Sequence, residues 1–203
     1  MRSIRTGAIE VRAKGVKAKV DRAALELFAA NGVDGVSIGD IATAAAVSQG
    51  ALYRHYPSKD ELAWVLFSTA YLRTGAELDE IARRSPMFQA RVGAMVEHFC
   101  ALYDTDPALF RFMLITQHGF LPRVRAEERT PVDAVADIVK EAVQAGEVAA
   151  LDPLAGAAAI LGVILQTAVF RIYGRLEGAL LPRAPGLARA AIAAVAALGQ
   201  TRA

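Results

Sequence analysis

The sequence predicts an all-α protein, and three observations carry that expectation. Apolar residues recur at spacings of three and four in segment after segment. Several of those segments open on a capping residue followed by proline, or by an acidic residue three places on. No alternating strand pattern competes with them. The chain has 203 residues, 54% of them apolar and 22% charged, enough to bury a core and too few charges for wholesale disorder.

The elements follow in order. Val16, Val20, Ala24, Leu27 and Phe28 define a first helix, which stops at Asn31-Gly32. Ser37 caps a second, with Asp40 as its capping-box partner and Ile38, Ile41, Ala42 and Ala45 on one apolar face. Ser48 opens a third, with Ala51, Leu52 and Tyr56 available to face inward, and Pro57 ends it. Ser58 and Glu61 begin a fourth that runs through Leu72 toward Arg83. Beyond Ser85-Pro86 come Phe88–Tyr103, a helix capped at Asp106-Pro107 and interrupted near Pro122, and Pro131–Ala145, ended by Gly146. Asp152-Pro153 opens a long apolar helix to about Leu176, and an alanine-rich helix runs from Pro185 to Leu198.

Charge is unevenly placed. Residues 1–22 carry a net +5, residues 23–62 a net −3, and the remaining 141 residues balance, giving the overall +2. A basic arm of this kind neutralises phosphates and releases counterions, so it favours nucleic acid even on a nearly neutral protein. The alternative for the arm alone is a solvated terminus.

The three short helices, the second and third joined by a tight turn at Ala45–Val47, have the pattern of a helix-turn-helix. In that motif the second helix of the pair enters the major groove with its first residues nearest the bases, here Ser48, Gln49, Gly50 and Ala51. Gln49 can pair with an adenine edge, Gly50 permits close approach, and Ala51 can meet a thymine methyl. Tyr53, His55, Tyr56 and Lys59 suit hydrogen bonds to phosphates.

The string SIGDIATAAAVSQGALYRHYPSKDEL, Ser37 to Leu62, resembles the DNA-binding domain of the tetracycline-repressor (TetR) family, and AALELFAANGVDGVS before it matches that family's first helix and turn. The resemblance covers residues 16–66. It implies an all-helical homodimer, with a DNA-binding domain at 1–62 and a ligand-binding and dimerisation domain at 63–203. By it, Ser37 and Thr43 lie near the DNA backbone. Gln49, Gly50, Ala51 and Tyr53 lie on the recognition helix, while His55, Tyr56 and Lys59 clamp phosphates. The implied function is a regulator, most often a repressor, released from a palindromic double-stranded operator by a small molecule. One departure stands out: where the family often has glycine in the turn, this chain has Ala46. Alanine in a left-handed conformation costs about 1–2 kcal/mol, so a differently built turn is expected here.

The carboxyl-terminal half has no comparable signature. Leu154–Phe170 is an apolar run of 17 residues, short of the ~20 a membrane span needs, and reads as a buried helix rather than a span. Its small residues permit close helix approach. With Pro185–Leu198 it can form the helix pairs of a dimeric four-helix bundle, as in the resembled family. Polar or aromatic residues set in apolar helices are the effector-binding candidates: Trp64, His98, Cys100, Tyr103, Arg111, Gln117, His118, Gln166 and Tyr173.

Other chemistry finds no support. The histidines have no i,i+4 partner and Cys100 is alone, so no metal site is expected. Phosphate-loop, nucleophile-elbow and dinucleotide fingerprints are absent, and neither a cofactor nor an enzyme activity is expected. The single cysteine and the lack of an apolar leader fit a cytoplasmic protein. The rival reading is a helical small-molecule-binding or signalling protein whose first three helices only pack. The polar run Ser48–Lys59 speaks against it, because a packing module has no use for two tyrosines, a histidine and a lysine beside one short helix.

Overall fold

A computed structural model describes residues 15–199, and those residues form nine α-helices and no strand. They are α1 (Val16–Asn31), α2 (Ile38–Ala44), α3 (Gln49–Tyr53), α4 (Lys59–Ala82), α5 (Phe88–Thr105), α6 (Pro107–Phe120), α7 (Pro131–Gln144), α8 (Pro153–Ile172) and α9 (Ala184–Gly199). Most of the expected basic arm, residues 1–14, lies outside the described residues.

The caps act where the sequence places them. Ser37 Oγ accepts a bond from the Asp40 amide, and the Asp40 carboxylate accepts one from the Ser37 amide. Asp106 and Asp152 cap α6 and α8 ahead of a first-turn proline. Thr130 and Asp133 close a further capping box on α7, in a stretch the sequence marks only as a polar joint. Two boundaries are shorter than expected. Helix α3 stops at Tyr53 instead of running to Tyr56, and α8 stops at Ile172, where Gly174 turns left-handed. The same three residues, Leu-Pro-Arg, form 3-10 turns at Leu121–Arg123 and at Leu181–Arg183.

Packing separates the chain into two compact units, drawn differently from a division at residue 62. The first is Met1–Tyr71 with Asp106–Glu127, and the second is Leu72–Thr105 with Glu128–Ala203. In the first, α1 packs against α2, α3 and α6, and Phe28 stacks on Phe112 with ring centroids 5.9 Å apart. Phe67, fully buried on α4, lies 5.4 Å from Phe120 on α6. In the second unit, α8 packs on α7 and α9, and α5 on α9. Gly156 lets α8 approach α7, since a Cβ there would sit 2.7 Å from Val139 Cγ1.

Helices Pro153–Ile172 and Leu181–Gly199 are long and apolar enough to cross a membrane. Only a third of the apolar window of the first is buried within the chain, so the expected buried helix is buried along one face alone.

The turn between α2 and α3 corrects one expectation. Val47 N donates to Ala42 O (3.0 Å) and Ala46 N to Thr43 O (3.1 Å), the paired bonds of a Schellman ending, and Ala46 takes φ +54°. The turn is therefore the ordinary left-handed one, with alanine bearing its strain. Helices α7 and α8 end with the same bond pattern, but with Gly146 and Gly174 at the left-handed position. Ala46→Gly is expected to stabilise the protein by about 1 kcal/mol, the left-handed penalty less glycine's extra unfolded-state freedom. A denaturant midpoint that does not rise would show the penalty to be relieved elsewhere.

Candidate nucleic-acid interface

Helix α3 is five residues long, and its two faces differ sharply. Ser48 caps it, its Oγ accepting from the Ala51 amide at 3.1 Å. Gln49, Gly50 and Tyr53 are exposed, Tyr53 at 51%, and Arg54 and His55 follow them on the surface. Ala51, Leu52 and Tyr56 point the other way, at 8%, 0% and 3% exposure. Thr43 is exposed on α2. Gly39 leaves room beside Gln49, because a Cβ there would lie 3.3 Å from Gln49 Nε2.

The burial of Ala51, Leu52 and Tyr56 is as the sequence expects, and the DNA contacts also expected of Ala51 and Tyr56 give way to it. Ala51 faces the core, so its methyl is turned away from any groove lying on the exposed face. The Tyr56 ring is buried, and its hydroxyl donates to Asp21 Oδ1 at 2.5 Å. Lys59 Nζ donates to the Val36 carbonyl at 2.8 Å, tying the start of α4 to the residue before the α2 cap. Tyr56 and Lys59 thus hold the reader together, whereas the exposed Arg54, absent from the expected set, is a free-standing cation beside Tyr53.

Tyr56 is also the pivot of a small charged network. Lys17 donates to Asp21 at 2.8 Å and lies 5.1 Å from the Tyr56 ring centroid. Burial, then the Asp21 bond, pushes the phenol up to about 12. The sign follows: a raised folded-state value stabilises the protein in full below pH 10, and that contribution is lost as pH rises through 12. Tyr56→Phe is expected to cost about 1 kcal/mol at neutral pH and to flatten the alkaline loss of stability, read by denaturant unfolding between about pH 9 and 12. An unchanged pH profile would remove Tyr56 as its source. At the start of α2, two bonds from Ser37 hold the Asp40 carboxyl below the usual range.

Arg123 follows α6 and grips the first turn of α4. Its guanidinium donates to Asp60 at 2.8 Å and Glu61 at 3.3 Å, and lies 4.5 Å from the Trp64 ring centroid. Trp64, expected as an effector contact, is therefore covered by this cation and by Phe67 and Phe120.

The remaining effector candidates are scattered. In the first unit, Arg111 has a buried Nε without a hydrogen-bond partner, Gln117 donates to Leu114 O, and His118 is exposed. In the second, His98 Nε2 lies 3.3 Å from Glu77 Oε2, close enough for charge but too poorly aligned for a good hydrogen bond. His98, then Arg73, holds the Glu77 carboxyl below its ordinary range. Tyr103 and Cys100 are buried, and burial pushes the Cys100 thiol up to about 11, which leaves it inert. Gln166 and Tyr173 are exposed. Three cavities, of about 590, 390 and 160 Å³, are lined by other residues altogether. Among the described residues no His, Cys, Asp or Glu cluster could hold a metal ion.

Comparison with known proteins finds a family match in the segment that carries α3. The family described as bacterial regulatory proteins, tetR family, matches residues 22–63. A Mycobacterium tuberculosis protein named as a candidate mycofactocin-biosynthesis transcriptional regulator, MftR, is 40% identical over 73 residues, 36% of this chain and 37% of that protein. The matched stretch thus spans little more than a third of that relative's length. A tetR-family regulatory protein from Rhodococcus RHA1 superimposes with TM-score 0.74 at 20% identity, over 90% of this chain and 97% of that one. The transcriptional regulator FadR from Bacillus subtilis, solved with stearoyl-CoA, does so with TM-score 0.71 at 19% identity, over 87% and 98%. The amino-terminal segment of this chain thus matches the tetR family of bacterial regulatory proteins over residues 22–63, and its all-helical fold is shared along nearly the whole length with solved members of that family.

Proposed function

We propose that the protein is a homodimeric DNA-binding transcriptional regulator, acting as a repressor released from a palindromic operator by a small molecule. The observation that carries this reading is the split of α3, with Gln49, Gly50 and Tyr53 outward and Ala51, Leu52 and Tyr56 inward. A helix that only packs has no need to present a glutamine and a half-exposed tyrosine beside a glycine. In a dimer, two such helices meet successive major grooves about 34–36 Å apart. Thr43 and His55 flank the face toward the backbone, and Arg54 adds a cation there. The reader works as residues 1–62, the effector and dimer functions as residues 63–203. Effector binding shifts the operator equilibrium only as far as it favours one conformation over the other.

Selection of bound duplexes from a random library tests the reading. Enrichment of a palindrome with half-sites one turn apart is expected; no enrichment at low salt would leave the non-DNA-binding alternative. Stearoyl-CoA, bound by the Bacillus subtilis relative in fold, is the first effector to assay. Removal of residues 1–14, with four bases and one acid, is expected to weaken operator binding and to reduce the salt slope by about 0.9 for each phosphate the arm neutralises. An identical slope would make that segment a bystander.

A further inference from the structure

The first unit contains a cavity of about 160 Å³ between α1, α4 and α6. Its walls are mostly apolar, with Leu25 from α1, Val65, Leu66, Ala70 and the one hydroxyl-bearing Thr69 from α4, and Leu109 from α6. Its rim is charged, but every charge there is already engaged. Lys17 pairs with Asp21 at 2.8 Å and Arg22 with Asp106 at 2.7 Å. Asp106 also caps α6 through the Leu109 amide, and Asp21 accepts the Tyr56 hydroxyl. An occupant therefore finds mostly apolar walls and no free charge. A charged molecule would be desolvated there without a partner, whereas a small uncharged one loses nothing. The pocket is open to solvent on its charged side, and its volume is about that of an enclosed apolar cavity that takes up one benzene.

We infer that this cavity is a binding site for a small, neutral, apolar molecule of about the size of a benzene ring, and that its occupancy is felt by the DNA reader. The link runs through Asp21, which borders the cavity and holds Tyr56 by a 2.5 Å bond. Tyr56 in turn donates its amide to the Leu52 carbonyl of α3. A molecule that parts α1 from α4 shifts Asp21, and with it the seat of α3. The second half of this inference rests on the proposed DNA-binding function; the first does not.

Benzene titrated into the full chain, followed by methyl NMR, tests the site. Saturable shifts are expected at Leu25, Val65, Leu66 and Leu109, weakened at least tenfold in both Ala70→Leu and Leu66→Phe, which fill the space. Shifts that are absent, or that persist unchanged in both variants, overturn it. Should the variants not fold, xenon-pressurised crystals of the unmodified chain decide: a xenon atom between α1, α4 and α6 supports the site, and its absence there overturns it. Coupling is read on the selected operator. Benzene is expected to change its affinity at least threefold in the unmodified chain and not in Leu66→Phe. Bound benzene with unchanged affinity overturns the coupling, while a chain that binds benzene but no DNA overturns the proposed function and leaves the site standing.

Discussion

Tyr53→Ala is expected to abolish operator binding while leaving the fold and the dimer intact. The side chain is half exposed, sits on the last turn of α3, and is not among the residues that pack the reader. Its removal therefore costs little stability, since exposed substitutions away from caps and cores usually fall within about 0.5 kcal/mol. Binding is different. A contact to a base edge or phosphate is worth about 1–3 kcal/mol, and the proposed symmetric dimer makes it twice, so a loss of at least ~30-fold is expected. Mobility-shift titration reads the affinity, with circular dichroism and solution mass as controls. An operator affinity within twofold of the parent would displace Tyr53 from the interface. Tyr56→Phe provides the internal contrast, because there the phenol holds α1 and its removal is read in stability first.

The contrast between the two tyrosines also shows what the sequence carries and what it does not. Caps are local chemistry, so Ser37 with Asp40, Asp106-Pro107 and Asp152-Pro153 mark helix starts that the structure reproduces. The outward placement of Gln49, Gly50 and Tyr53 is legible for the same reason: it follows from a cap at Ser48 and the spacing of Ala51 and Leu52. The bonding partners of Tyr56 and Lys59 are not, because each lies far along the chain, Asp21 for one and the Val36 carbonyl for the other. The Ala46 turn is hidden for a different reason: paired backbone bonds can hold alanine left-handed at a cost that composition does not reveal. Effector residues are the least legible. Polar and aromatic side chains within helices look alike in sequence whether they stack under a guanidinium, as Trp64 does, or face solvent, as Gln166 does.

In the proposed homodimer, Gly162→Arg is expected to separate the two copies. Along α8 the exposed residues are Leu154, Ala158, Gly162, Gln166 and Phe170, one every four positions and none charged. The opposite face, with Ala157, Ile160, Ile164 and Ala168, is buried within the chain. An uncharged outer stripe, apolar but for Gln166, on a helix only one-third buried is surface that a second copy can cover, and two-fold symmetry brings the same positions of both copies together. The centre of that stripe is Gly162, where a Cβ would meet nothing within 4 Å in the same chain. Arginine there is therefore harmless to the isolated fold and, replacing glycine, favours the helix by up to about 1 kcal/mol. In the dimer it buries two like charges without partners, and an uncompensated buried charge costs about 3–5 kcal/mol, so dimer affinity is expected to fall by at least ~100-fold. Light scattering reads the mass, and thermal unfolding confirms the fold. Operator affinity is expected to fall together with dimerisation, since one reader alone meets one half-site. A Gly162→Arg protein that remains dimeric at the parent's concentration would place the contact between copies away from the α8 stripe.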